Sequence, residues 1–297
     1  MLIMQFPALA FCNDIDFANW STYKEVHKIL SEEFGIPATD SFWLFDPSGS
    51  DLALFKGSLR DKGPKHDEIL EEIHSGQIDI MHSAGNFSRT NTLQEPSREM
   101  IAEGLNYLAE HAHVPHIWTN HGDHGDIQNI GGSQPYYQQG DDPSSEVFIM
   151  DLLEHHNVRY FSLDHHTSNN FVFKNSTTGV NPLWSIENTR SGFQVVCFRR
   201  FRGDFPKAPT ALTLGAQLSD ENLNQLSSSN GVSIIYQHWC CHRDKQENAI
   251  TAKNPIFSDR SWLGLKKLAL FKNSGKISVI TLNELLSSCY DLSPSEK

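Results

Sequence analysis

Four stretches of this chain place carboxylates or imidazoles directly after short apolar runs. Ala8-Leu9-Ala10-Phe11-Cys12 leads into Asn13-Asp14-Ile15-Asp16, and Ile78-Asp79-Ile80-Met81 into His82-Ser83. Val114 to Thr119 leads into Asn120-His121-Gly122-Asp123, and Val232 to Tyr236 into Gln237-His238. Apolar runs of that length, bounded by turn residues, predict buried strands. A parallel sheet gathers the carboxyl ends of its strands on one rim, so the polar groups are expected to meet in one cavity. Carboxylates and imidazoles gathered this way are equipped for metal-assisted hydrolysis.

Asp14 and Asp16 stand at i and i+2, which on a strand share a face. One can bind a divalent ion while the other takes the proton of an attacking water. As a plain turn, the same residues would cap the following helix. His82 can offer a ring nitrogen to a metal while its other nitrogen is held by a neighbour, or it can be a hydrogen-bonded core histidine. Asn86, four residues on, is a weaker ligand. His121 lies nearest its strand end, whereas His124 and Asp126 fit a solvated loop better. Asp164-His165-His166 reads as rim chemistry or as a surface cluster. His238 beside Trp239 suits a general acid ordered by apolar contacts, or simple aromatic burial. Of Arg199, Arg200 and Arg202, one is expected to orient a carboxylate unless all three lie on a solvated strand face.

The elements that must position these groups alternate in type. Helical spacing of apolar residues predicts helices over Ser21–Phe34, Lys65–His74 and Pro96–His113, from Asp142 to about His156, from Ser219, and over Ser258–Lys272. Leu282 to Ser288 closes the chain. Strands are expected up to Asn13 and over Ser41–Phe45, Ile78–Met81, Val114–Trp118, Val158–Leu163, Phe193–Phe201, Val232–Tyr236 and Ile277–Ile280, with Leu52–Phe55 as a short excursion. This β-α alternation predicts an α/β fold with a parallel sheet or barrel. The segment His121–Asp142, rich in Gly, Gln, Asn and Asp, is longer than ordinary connections and carries Tyr136 and Tyr137. His165 to Gly192 is polar with little periodicity.

A length of 297 residues suits one domain, here 1–290, with 291–297 as a tail. The net charge of -12 argues against nucleic acid or an anionic lipid surface as the main partner. No run approaches the roughly 20 apolar residues of a membrane span. Met1 to Cys12 lacks the basic start and cleavage site of a signal peptide and flows into Asp14, so it reads as the first strand of a cytoplasmic protein. The five cysteines are odd in number and lack CxxC spacing, which predicts buried free thiols.

Taken together, these residues resemble the polysaccharide deacetylase superfamily, also described as NodB-homology or carbohydrate esterase family 4. Its paired aspartates look like Asp14 and Asp16, its His-Ser/Thr-x-x-His motif like His82-Ser83-Ala84-Gly85-Asn86, and its last motif like Ile234-Ile235-Tyr236-Gln237-His238. The resemblance covers nearly the whole chain and implies an irregular (β/α)7 barrel. Asn86 stands where that motif has a second histidine, and His121 is the candidate to replace it. The Arg-x-Pro-Tyr-like motif has no counterpart in Trp118-Thr119-Asn120-His121-Gly122, so the chain looks like a divergent member, similar to proteins of surface-polysaccharide biosynthesis.

The resemblance implies hydrolysis of an N-acyl amide, acetyl foremost, on a sugar. Asp16, His82 and His121 would hold a divalent metal, zinc first; Asp14 would be the base and His238 the acid. Asn86, His124, Asp164 and Arg199 are further candidates for metal or substrate contact. A cytoplasmic setting points to a nucleotide- or lipid-linked sugar as substrate. Two rivals are a C-N hydrolase of a small cyclic amide and a non-catalytic carbohydrate-binding protein.

Overall fold

The computed structural model describes residues 6–87, 94–122, 125–131, 138–241 and 256–292. The chain is a mixed α/β protein with parallel sheets, and it divides into two compact units. The first is built from Met1–Thr39, His165–Ser185 and Arg199–Lys297, the second from Asp40–Asp164 and Ile186–Phe198.

In chain order the elements begin with β1 (Ala8–Asn13) and α1 (Trp20–Lys28), the latter continued by a π-helical turn Ile29–Glu33. Then come β2 (Asp40–Phe45), β3 (Ala53–Phe55), α2 (His66–Ser75), β4 (Ile78–His82), α3 (Arg98–His111) and β5 (Ile117–Thr119). The middle of the chain holds α4 (Met150–His155), β6 (Tyr160–Ser162), β7 (His166–Thr167), β8 (Trp184–Asn188), β9 (Gln194–Phe198) and β10 (Arg200–Phe201). The last part holds α5 (Leu214–Gln217), α6 (Asp220–Ser227), β11 (Val232–Gln237), α7 (Asp259–Asn273), β12 (Ser278–Val279) and α8 (Leu282–Leu292).

The first unit has a sheet in the order β12-β1-β11-β10-β7, and every pairing in it is parallel. β1 is buried along its whole length, as a continuous apolar run in a covered parallel sheet must be. Its register with β11 runs from Ala8 opposite Val232 to Asn13 opposite Gln237. The residues that follow, Asp14 and His238, therefore leave the sheet at one level. α5 and α7 lie so close that a Cβ on Gly215 would stand 2.4 Å from the Arg260 carbonyl carbon. The Gly215 amide also donates to the Ser261 hydroxyl at 3.0 Å.

The second sheet runs β3-β2-β4-β5-β6-β9-β8, with parallel pairing from β3 through to β9. β2 and β4 are wholly buried. The register sets His82 opposite Thr119 and Thr119 opposite Ser162. Among the described residues the strand pairing makes these two sheets and closes no barrel.

Most predicted elements form near their expected positions, and side-chain caps explain several boundaries. Asn19, Ser97, Ser219 and Ser258 each accept a hydrogen bond from an amide in the first turn of the following helix. Three expectations are corrected. The helix expected from Asp142 starts only at Met150, because Asp142 closes a local turn, accepting from the Ser144 amide and hydroxyl at 3.0 and 2.7 Å. The strand expected over Phe193–Phe201 breaks at Arg199, and its halves, β9 and β10, join different sheets. The polar stretch after His165 contains β7 and β8. The expected tail is helical as far as Leu292, and 293–297 lie outside the described residues. All five cysteines are free and buried, as expected, and no described helix is long and apolar enough to cross a membrane.

Gly215→Ala would force a methyl into the backbone of α7, and overpacking of this kind costs about 1–3 kcal/mol. Urea denaturation should show a loss of that size; unchanged stability would mean that α5 and α7 are not held in this contact.

Candidate active site

In the first unit, Asp14, Asp16 and His238 come together: one ligand atom from each lies within 4.8 Å of the others. All three are largely buried. β1 extends its pairing by one step, the Asp14 amide donating to the Gln237 carbonyl at 2.9 Å, and Asn13 Oδ1 accepts from the Trp239 amide at 2.8 Å. These bonds lock the two strand ends to each other.

Arg200 donates from Nη1 to Asp14 Oδ1 at 2.8 Å, with both side chains almost fully buried. Its guanidinium also lies over the Tyr236 ring, 4.0 Å from the centroid. Burial opposes the Arg200 charge, but the Asp14 carboxylate outweighs it and holds the group protonated well above the ordinary arginine range. Burial, followed by the same carboxylate, raises the Tyr236 hydroxyl well above its usual range, so it stays protonated and donates a hydrogen bond to Asp14. Asp14 is thus an ionised carboxylate between two fixed donors.

His238 Nε2 is 3.1 Å from Asp16 Oδ2, and Nδ1 is 3.3 Å from the Pro209 carbonyl. A carbonyl only accepts, so Nδ1 carries a proton. Nε2 thus stands between the Asp16 carboxylate and the Tyr236 hydroxyl, which is 3.4 Å away. The donor set suits a divalent ion. Behind it, Gln217 Nε2 reaches the carbonyls of Phe201, Arg202 and Tyr236 at 3.3, 2.8 and 3.0 Å, while its Oε1 accepts from Gln237. One carboxamide therefore ties β10 to β11.

His166 stacks on Tyr236 with centroids 5.9 Å apart. The residue is exposed at the surface, but the protein packed around its ring, followed by the Arg200 and Arg202 charges, lowers its pKa to about 4. Arg200, not Arg199, is the arginine that orients a carboxylate; Arg199 is half-buried, and its amide donates to the Leu183 carbonyl at 3.0 Å.

The second unit holds His82 and His121 with ring centroids 5.1 Å apart. Trp43 stacks on His82 at 6.0 Å and lies 5.6 Å from His121. His82 Nδ1 is 2.8 Å from the Thr119 hydroxyl, as the strand register dictates. His121 Nδ1 donates to Asp126 Oδ2 at 2.6 Å. In the neutral ring this bond puts the lone pair on Nε2, the arrangement by which a carboxylate prepares an imidazole for a metal. Asp126 is fully buried and also accepts from the Phe87 amide at 2.6 Å and from Gln128 at 3.3 Å. It is therefore no solvated loop residue, which corrects the sequence reading. Ser83 has a left-handed φ of 57°, a strained conformation directly after His82.

The remaining candidates are spread more widely. Asn86 Nδ2 lies 3.4 Å from Asp46, and its buried Oδ1 has no hydrogen-bond partner among the described residues. Asp164 is exposed and accepts from Gln138 at 3.3 Å. His124, Tyr136 and Tyr137 lie outside the described residues. Asp14, Asp16 and His238 thus belong to the first unit, and His82, His121, Asn86 and Asp164 to the second. Sequence reasoning missed Tyr236 as a donor to Asp14, Gln217 as the clamp and Asp126 as the partner of His121; only Tyr236 carried a signal, its place in the last motif. Comparison with known families, curated proteins and solved structures finds no match to this chain.

Removing Arg200 would leave the Asp14 carboxylate buried and uncompensated. Arg200→Ala should cost about 3–5 kcal/mol in denaturant unfolding, and a change below about 1 kcal/mol would contradict a buried ion pair.

His166 should titrate near pH 4 by NMR, and a midpoint at the ordinary histidine value of 6.5 would refute this environment. The native ring resists a proton that the unfolded ring accepts below pH 6.5. Its contribution to stability is therefore complete above that pH and is lost as the pH falls toward 4.

Proposed function

We propose that the chain is a metal-dependent hydrolase that removes an N-acyl group from a sugar or sugar precursor, with zinc as the first candidate metal. The observation that carries this reading is the buried group of Asp14, Asp16 and His238, with Asp14 held between Arg200 and Tyr236. The resemblance assigns the metal to Asp16, His82 and His121, whose carboxylate and imidazole groups are of the kind zinc takes. Bound there, the ion would supply Lewis-acid polarisation of the amide carbonyl.

The chain's own residues supply the proton transfers. Asp14, ionised by Arg200, accepts a proton from the attacking water at a carboxylate oxygen. His238, anchored through Nδ1 on the Pro209 carbonyl, gives a proton from Nε2 to the departing amine nitrogen. Asp16 Oδ2, 3.1 Å from His238 Nε2, fixes the direction in which that nitrogen points. The likeness of Asp14, Asp16, His82 and the strand ending in His238 to the polysaccharide deacetylase superfamily, with its irregular barrel, is part of the same proposal.

Metal analysis of the purified protein should find about one zinc per chain, with less in Asp16→Asn and in His82→Ala. N-acetylated amino sugars and nucleotide-linked forms should release acetate, and Asp14→Asn should slow that release by about 10²–10⁴-fold. Metal-free protein that binds sugars but releases no acid would replace this reading with a carbohydrate-binding one.

A further inference from the structure

A cleft of about 460 Å³ in the first unit has His238 in its wall. Much of the remaining lining is apolar, including Phe17, Phe205, Pro206, Leu212 and Cys241. Its few polar groups are largely committed. The Thr213 hydroxyl accepts from the Thr210 amide at 2.9 Å and donates to the Thr210 carbonyl at 3.1 Å. His238 Nδ1 is engaged with Pro209, and Lys207 is exposed. A sugar ring, which needs partners for several hydroxyls, is poorly served here, whereas an alkyl chain needs none.

Two backbone features maintain this wall. Phe17, directly after Asp16, has a left-handed φ of 60° and leaves its ring 63% exposed. A bulky residue seldom adopts that conformation, and such strain clusters at ligand sites. Gly203, at φ 83°, lets the Phe205 ring lie against the chain: a Cβ there would stand 2.6 Å from the ring. An exposed aromatic on strained backbone and a second ring seated on a glycine flank a cleft that ends at the proposed acid group.

We propose that this cleft binds the acyl half of the scissile amide and is built for a medium-length alkyl chain, which makes the preferred substrate an N-acylated sugar with an acyl group longer than acetyl. The inference rests on the hydrolase reading given above. The volume lies within the ~300–1,000 Å³ typical of whole small-molecule sites, far more room than an acetyl methyl requires. Each methylene buried in such a cleft raises affinity roughly fourfold.

The test uses the full chain, with octanoate and acetate as calorimetric ligands and N-acetyl-, N-hexanoyl- and N-octanoylglucosamine as substrates. Octanoate should bind roughly tenfold or more tightly than acetate, and kcat/KM should rise with chain length. Leu212→Trp, which fills the cleft, should abolish octanoate binding and the chain-length preference; Ala208→Trp, at an exposed position in the lining, serves if Leu212→Trp does not fold. Failure of octanoate to bind, or binding that survives both substitutions, overturns the cleft proposal even if acetate is released, a result that would leave the hydrolase reading standing. Octanoate binding that both substitutions abolish, without cleavage of any amide, supports the cleft as an alkyl site and removes the hydrolase reading on which its acyl role depends.

Discussion

A buried charge is tolerated only beside its counter-charge, and in the first unit that requirement fixes the arrangement of three strands. Arg200 leaves β10, Asp14 follows β1, and β11 lies between them in the sheet order. The guanidinium must therefore cross β11, and it does so flat against Tyr236. Breaking the pair would strand a charge in a medium that solvates it poorly. The sheet order, the strand register and the orientation of Asp14 are thus one constraint seen at three levels. Gln217 serves the same end from below, binding the carbonyls that a two-residue strand such as β10 leaves without ladder partners.

The second unit solves a similar problem with hydrogen bonds in place of an arginine. The loop after β5 is rich in residues that form few regular bonds, yet Asp126 is wholly buried in it. Its two oxygens are met by the Phe87 amide, the Gln128 amide group and His121 Nδ1. A carboxylate satisfied in this way holds the imidazole in one orientation and one tautomer. Trp43, set against both rings, gives the histidines a stiff apolar wall.

The sequence made much of this legible, because β1, β2, β4 and β11 are nearly continuous apolar runs that only a covered parallel strand explains. The polar residues just beyond such runs had to stand at a sheet rim. What stayed hidden was decided by tertiary contacts. Nothing local distinguishes Arg199 from Arg200; the break between β9 and β10 decides which side chain enters the interior. Asp126 reads as a loop residue because burial in a Gly- and Asn-rich segment leaves no periodic trace. The Asp142 helix start failed because an Asp-Pro-Ser-Ser sequence caps a turn as readily as a helix. β7 and β8 are short and partly exposed, so their composition gives no apolar signal.

The first unit is assembled from segments at both ends of the chain, and His238 stands 222 residues beyond the Asp16 it faces. β1 is thus made long before β11, the neighbour that pairs with it along its full length. At ribosomal rates of about 5–20 residues per second, that interval is on the order of ten to forty-five seconds. During it, a largely apolar strand has open edges and no sheet to join, a state that invites pairing with other nascent chains. The arrangement that brings Asp14, Asp16 and His238 together therefore also leaves β1 open to such pairing until β11 has been translated.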